Sequence, residues 1–298
     1  MRIVTRPDFD GVVCAVILME VLPIDQPILW VQPSAMQRDE IDIQKDDIIA
    51  NLPYHRNCSL WFDHHFSNRP DFPVRGAFEI APSAAGIIYQ YYRGQLKKSY
   101  DELVYQTDRI DSANLTLDEI LHPEEHPYVL LSMSVAGEDP ERETYWDHLV
   151  DLLRTRPVEQ VLMDPRVKIR TKKVVADNLA YEKSLIAHTK MIGHVSVTDF
   201  RELDPAPDGN RFLVYSLFPD CTVNVKIVHK GENLTSIKVG HSILNKGCKV
   251  NVGKMLISFE GGGHPGAGAC RFSREKAPDY LKRVIDILLE NKPERFGE

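Results

Sequence analysis

Three consecutive side chains, Asp63, His64 and His65, close the apolar run Cys58-Ser59-Leu60-Trp61-Phe62 and aim a carboxylate and two imidazoles at one region. Carboxylates with imidazole suit a hard divalent cation such as Mn²⁺ or Mg²⁺ better than a thiolate-rich zinc site would. Two more carboxylates, Asp8 and Asp10, follow a second β-rich run, Arg2-Ile3-Val4-Thr5, and Gly261-Gly262-Gly263-His264 lies near the far end. Glycines in such a run can expose backbone N–H groups to an anion and leave room for a phosphate or a ribose. Singly, Asp8-Phe9-Asp10-Gly11 also reads as a turn with an Asp helix cap, and the glycine run as a tight turn. Together they point to phosphate ester chemistry.

The elements that must position these residues read as α/β. Short β-rich runs at 3–5, 28–31, 47–50 and 59–62 alternate with helical stretches at 11–21, 83–92, 100–109 and 127–135, the pattern of a parallel sheet covered by helices. Pro82-Ser83 supplies a helix cap signal. In such a sheet, ligands gather beyond the carboxyl ends of the strands, which places Asp8, Asp10, Asn51 and Asp63-His64-His65 on one rim. Residues 157–192 read as a long helical passage broken near Asp164-Pro165, with Gly193 as its stop. Beyond it, 194–198, 211–217, 222–229 and 234–239 alternate as strands, 256–259 is β-like, and 276–289 reads as a closing amphipathic helix. The expected architecture is an amino-terminal parallel-sheet domain (1–156), a helical linker (157–193) and a smaller α/β domain (194–298). Tyr89, Tyr91 and Tyr92 at near-helical spacing read as packing. The histidines at 55, 122, 126, 148, 188, 194 and 229 read as surface or structural residues.

With 298 residues, 43% of them hydrophobic, the chain can bury a sizeable core. A net charge of -7 argues against coating long duplex nucleic acid, and leaves room for a short anionic substrate in a local pocket. Five cysteines without paired spacing fit a reducing, cytoplasmic setting, and no apolar run approaches membrane-spanning length. No membrane partner is expected, and a homodimer is compatible with the sequence.

The motifs Thr5-Arg6-Pro7-Asp8-Phe9-Asp10-Gly11, Asn51-Leu52-Pro53, Asp63-His64-His65, Asp108 through Asp111-Ser112, and Gly261-Gly262-Gly263-His264-Pro265-Gly266-Ala267-Gly268 resemble those of the DHH phosphoesterase superfamily, in its DHH plus DHHA1 architecture. Val239 to Lys246, followed by Asn251-Val252-Gly253, is most similar to the exopolyphosphatase-related subgroup. The resemblance implies hydrolysis by a water activated between two Mn²⁺ or Mg²⁺ ions. By position, Asp8 falls to the first ion, and Asp10, His64 and Asp111 to the second, with Asp108 the alternative to Asp111. Asp63 would orient His64 from behind, and His65 would face the substrate phosphate. Gly261, Gly262, Gly263 and His264 would bind substrate, with His241, Asn245 and Lys246 as weaker contacts, and His264 would reach toward the phosphate as the domains close.

Two positions depart from that pattern. Such members carry His two residues before the first Asp, where this chain has Arg6, and a bridging Asp where it has Asn51. Arginine has no lone pair for a metal, but Arg6 can pair with Asp8 or reach a substrate phosphate with its planar fork; Asn51 can ligate one metal through its amide oxygen but lacks the charge to bridge two cations. Asp8, Asp10 and Asp111 less the charge of Arg6 balance one divalent ion, so one is expected rather than two. Two readings of function follow: a metal-dependent phosphoesterase acting on a short oligonucleotide, a dinucleotide or polyphosphate, or a catalytically weak or inactive DHH-fold protein that binds a nucleotide or phosphate.

Overall fold

The computed structural model describes residues 1–136 and 141–293. The chain divides into two compact units, Met1–Leu115 with Pro123–Val174, and Thr116–His122 with Val175–Glu298.

In the first unit, β1 (Arg2–Thr5) leads into α1 (Phe9–Val21), then β2 (Leu29–Trp30), α2 (Pro33–Gln37), β3 (Asp47–Ala50), β4 (Leu60–Asp63) and β5 (Gly76–Phe78). The strands form one parallel sheet in the order β2-β1-β3-β4-β5. Side chains alternate across a strand, so each run feeds two cores. Ile3, Ile48, Ala50 and Phe62 pack on the face that receives α1. Val4, Ile49 and Trp61 pack on the other with Met36, Ile43 and Leu52. Arg2 grips the buried carboxylate of Asp47 at 2.9 and 2.6 Å, tying β1 to its neighbour.

The remaining helices are α3 (Ala84–Tyr92), α4 (Asp101–Asp111), α5 (Leu117–Leu121, in the second unit), α6 (Pro127–Val135), α7 (Arg142–Thr155), α8 (Val158–Met163) and α9 (Pro165–His188). Helix α1 is sandwiched between the sheet and α3, α4 and α7, which is why Val12 through Leu18 are all fully buried. The helical passage read over 157–192 is interrupted at Asp164 and ends at His188, and its last residues turn into a strand. No helix among the described residues is long and apolar enough to cross a membrane.

The second unit continues with β6 (Thr189–Ile192), β7 (Val195–Asp199), α10 (Leu213–Leu217), β8 (Val223–Lys230), β9 (Leu234–His241), α11 (Val252–Ile257), β10 (Gly261–His264), β11 (Ala267–Ser273) and α12 (Ala277–Glu290). Its mixed sheet runs β10-β11-β9-β8-β7-β6. One face, with Val225, Ile237, Val239 and Phe272, packs against Met255 and Leu256 of α11 and against Leu281, Val284 and Leu288 of α12.

Three expectations fail here. Residues 211–217 are not a strand: Leu213, Val214 and Tyr215 are buried consecutively, as one helical turn allows and an alternating strand does not. The run at 256–259 belongs to the end of α11, where Val252, Met255, Leu256 and Phe259 follow a helical spacing that the short apolar run concealed. Gly261-Gly262-Gly263-His264 is not a turn but a strand, paired residue for residue with Ala267–Cys270 of β11. Two of the glycines have a steric cause: at Gly263, with φ +152°, a Cβ would come within 2.3 Å of the Ala267 carbonyl oxygen, and at Gly261 within 2.4 Å of that of Ala269.

Candidate metal centre

Three loops at the carboxyl ends of β1, β3 and β4 deliver the site. The chain leaves β1 through Arg6 and Pro7 to Asp8, which caps α1 by accepting the Gly11 N–H at 2.9 Å. Gly11 is required for this tight entry, since a Cβ there would lie 1.9 Å from the Arg6 carbonyl oxygen. We therefore expect Gly11→Ala to displace the Arg6 to Asp8 turn and to lower stability by about 1–3 kcal/mol, the usual range for overpacking, as read from urea unfolding.

Asp10, on the first turn of α1, points its buried carboxylate at the amino terminus of α3. The N–H groups of Ala84 and Ala85 donate to its two oxygens at 3.0 and 2.8 Å, a helix end supplying partial positive charge to an anion. Ser83 caps that helix by accepting the Gly86 N–H at 2.9 Å, and its hydroxyl donates to Asp108 at 2.5 Å. Asp108 is thus spent on bracing α3, and it is Asp111, one turn further along α4, that joins the cluster. Ser83→Ala should cost about 0.5–2 kcal/mol through the lost cap, and should weaken metal binding by loosening the amides that hold Asp10, which calorimetric Mn²⁺ titration would detect.

His64 follows β4. Its Nδ1 lies 3.0 Å from the Ala81 carbonyl oxygen, which can only accept, so Nδ1 carries the proton and Nε2 is a bare lone pair in the neutral ring. That Nε2 is buried without a hydrogen-bond partner, 3.4 Å from Asp111 Oδ2 and 3.8 Å from Asp10 Oδ2. Two carboxylates and an imidazole nitrogen converge there, an arrangement that suits a divalent cation. The ligand atoms of Asp10, His64 and Asp111 all lie within 4.8 Å of one another. Lost hydration, then repulsion from neighbouring carboxylates, pushes both Asp10 and Asp111 up to about 7. The donor set fits Mn²⁺ or Mg²⁺.

Asp63 does not stand behind His64. Its Oδ1 lies 2.8 Å from His65 Nδ1, and its Oδ2 accepts from Asn68 at 2.6 Å, so Ala81 orients His64 and Asp63 orients His65. Burial opposes the charged form of His65, but its hydrogen bond to Asp63 and the surrounding carboxylates outweigh this and raise its pKa. The triplet therefore divides: His64 faces the cation group, whereas Asp63 and His65 serve a neighbouring network. Asp8 belongs to that network. Its Oδ1 accepts from Gly11 and from the Asn51 amide at 2.9 Å, and its Oδ2 is paired with Arg6 at 2.9 Å. Burial nonetheless raises its pKa against the pull of Arg6. Asn51 adopts a left-handed backbone, φ 57°, and its Oδ1 is buried without a partner.

Sequence reasoning passed over Ala81 and Asn68, which act through a backbone carbonyl and a loop amide that carry no motif. Ser83 reads as a cap, and the free amides that a cap implies are the available signal that the helix end holds a carboxylate. In the second unit, His264 lies exposed on β10. His241 turns its Nε2 to the Val250 carbonyl at 2.9 Å, and the Asn245 side chain donates to Pro219 at 3.4 Å. Both are engaged within the fold, whereas Lys246 is exposed.

No protein-family model and no curated protein sequence matches this chain. Among solved structures, the pGpG-specific phosphodiesterase PggH from Vibrio cholerae is 29% identical, with 98% of this chain and 99% of that one covered at a TM-score of 0.83. The chain has the DHH phosphoesterase fold. An exopolyphosphatase-related protein from Bacteroides fragilis shares the fold at 11% identity and a TM-score of 0.54, covering 96% of this chain and 91% of that one. RecJ from Thermus thermophilus, solved in complex with Mn²⁺, shares it at 14% identity and a TM-score of 0.60, covering 97% of this chain and 52% of RecJ. The DHH triplet here is thus Asp63-His64-His65, with its central histidine on the cation group.

Proposed function

We propose that this DHH protein is a phosphoesterase that hydrolyses a short anionic phosphate substrate at a one-cation centre formed by Asp10, His64 and Asp111. The observation that carries the reading is the buried, partnerless Nε2 of His64 facing two carboxylate oxygens. A Mn²⁺ or Mg²⁺ ion held there would lower the pKa of a water molecule and offset charge on the phosphoryl oxygens. The chain's own part is to hold the donors in place: the α3 amides fix Asp10, the Ala81 carbonyl sets the His64 tautomer, and Asp63 sets the orientation of His65. One ion rather than two is supported by Asp8, whose oxygens are taken by Gly11, Asn51 and Arg6.

The likeness to a pGpG-specific phosphodiesterase makes a 5′-phosphorylated dinucleotide the first substrate to test, ahead of short polyphosphate. The net charge of -7 supports a short substrate over duplex nucleic acid. In the second unit, His264 and the glycine strand are assigned to substrate binding, and the free cysteines support a reducing, cytoplasmic setting. The test is Mn²⁺-dependent hydrolysis of pGpG, of short polyphosphate and of a longer single-stranded RNA, each with and without EDTA. Turnover of a short substrate that EDTA removes is the expected result. A protein that binds pGpG and Mn²⁺ but turns over none of the three would instead be a ligand-binding member, the reading favoured by the amide at Asn51 and the salt-bridged Asp8.

A further inference from the structure

Arg6 directly follows β1 and is held by two contacts. Its Nε lies 2.9 Å from Asp8 Oδ2, and its Nη1 lies 3.4 Å from His65 Nε2. Both holders are themselves fixed. Asp8 Oδ1 is filled by the Gly11 N–H and the Asn51 amide, each at 2.9 Å. His65 is anchored through Nδ1 on the buried Asp63, which Asn68 also grips. His65 in turn stands with its ring centroid 4.3 Å from that of His64, so one imidazole separates the guanidinium from His64.

A guanidinium carries five N–H groups in a planar fork. An arginine serving only to neutralise Asp8 would close its fork on both carboxylate oxygens. Here Gly11 and Asn51 occupy the second oxygen, so the fork stays open. The N–H groups on Nη2 have no protein partner among the described residues, and the side chain is 37% exposed. The result is a permanently charged, planar donor edge, braced on two sides and open on the third. That shape and charge match a tetrahedral phosphate oxyanion.

We propose that Arg6 contacts the substrate, its open edge binding a non-bridging oxygen of the scissile phosphate and supplying the positive charge that a second cation would otherwise bring. This deepens, and rests on, the phosphoesterase reading. Asp8, Asn51 and His65 then act as positioning residues for the guanidinium, and no proton or bond changes hands at Arg6. The proposal assigns a function to a carboxylate, an amide and an imidazole that the cation group leaves unused.

The test is calorimetric titration of inorganic phosphate into the Mn²⁺-loaded native protein, Arg6→Gln and Arg6→Lys, with Mn²⁺ stoichiometry measured alongside by equilibrium dialysis. Arg6→Gln should keep the native Mn²⁺ stoichiometry and lose at least tenfold in phosphate affinity. Arg6→Lys, which keeps the charge but not the fork, should fall between. Unchanged phosphate affinity in Arg6→Gln overturns the proposal, as does a parallel loss of Mn²⁺ binding, which would make Arg6 a structural brace of the cation group. If Arg6→Gln does not fold, native affinity in Arg6→Lys overturns the role of the fork. A native protein that takes up no Mn²⁺ overturns the phosphoesterase reading itself, a result distinct from any of these.

Discussion

Alanine in place of His64 is expected to abolish Mn²⁺ uptake and to lower turnover of a short phosphate substrate by about three orders of magnitude, equivalent to several kcal/mol of lost transition-state stabilisation. The size follows from its position. His64 supplies the neutral donor between two carboxylates, and Asp10 and Asp111 without it are two like charges with no imidazole to complete a ligand set. The fold should survive, because the one hydrogen bond lost is to the carbonyl of Ala81, which is partly exposed and can take up water. Thermal unfolding of the metal-free variant checks this, and calorimetric Mn²⁺ titration with single-turnover kinetics checks the rest. A variant that still binds Mn²⁺ and hydrolyses at the native rate would remove Asp10, His64 and Asp111 from the chemistry.

The second large effect is on stability. Asp10 and Asp111 ionise near 4 in an unfolded chain but are pushed up to about 7 in the folded one. Between those values the folded state holds more protons than the unfolded state, so stability falls as pH rises through the window. The metal-free protein should therefore be more stable at about pH 5 than at about pH 7.5, by on the order of a few kcal/mol, and unfold at a higher temperature at the lower pH. Millimolar Mn²⁺ should reverse the trend, since the ion binds the deprotonated, folded site. Asp111→Asn should remove part of the slope. A flat or rising midpoint from pH 5 to 7.5 in EDTA would mean that the two carboxylates do not face one another unscreened.

Much of this site was legible in the sequence because its parts are local. Asp8, Asp10 and the Asp63-His64-His65 triplet each lie at or just beyond the end of a recognisable strand, and a parallel sheet brings strand ends together whatever their distance along the chain. Asp111 was legible only as a choice with Asp108, and packing decided it: Ser83 claims Asp108. The partner of His64 was not legible, because a backbone carbonyl such as that of Ala81 has no residue type to betray it. The same gap hid β10. Four residues with three glycines carry no strand propensity, and it is the ladder with β11 that makes them one. Residues 211–217 and 256–259 misled for the complementary reason, since a short apolar run fits both periods and burial arbitrates between them.

The left-handed backbone at Asn51 bears on how this site can change over generations. Asparagine and aspartate are the residues other than glycine that most readily adopt that conformation, so the main chain would accept either without moving. The obstacle is electrical: aspartate at 51 would set a second carboxylate 2.9 Å from Asp8, where the amide now donates. Such a mutant is viable only with a positive charge between the two, which Arg6, turned toward Asp8 Oδ2, does not supply. Positions 6 and 51 are thereby bound into one inheritable unit, in which a change at either is penalised until the other follows, and only a coupled pair of substitutions would pass on the unaltered scaffold.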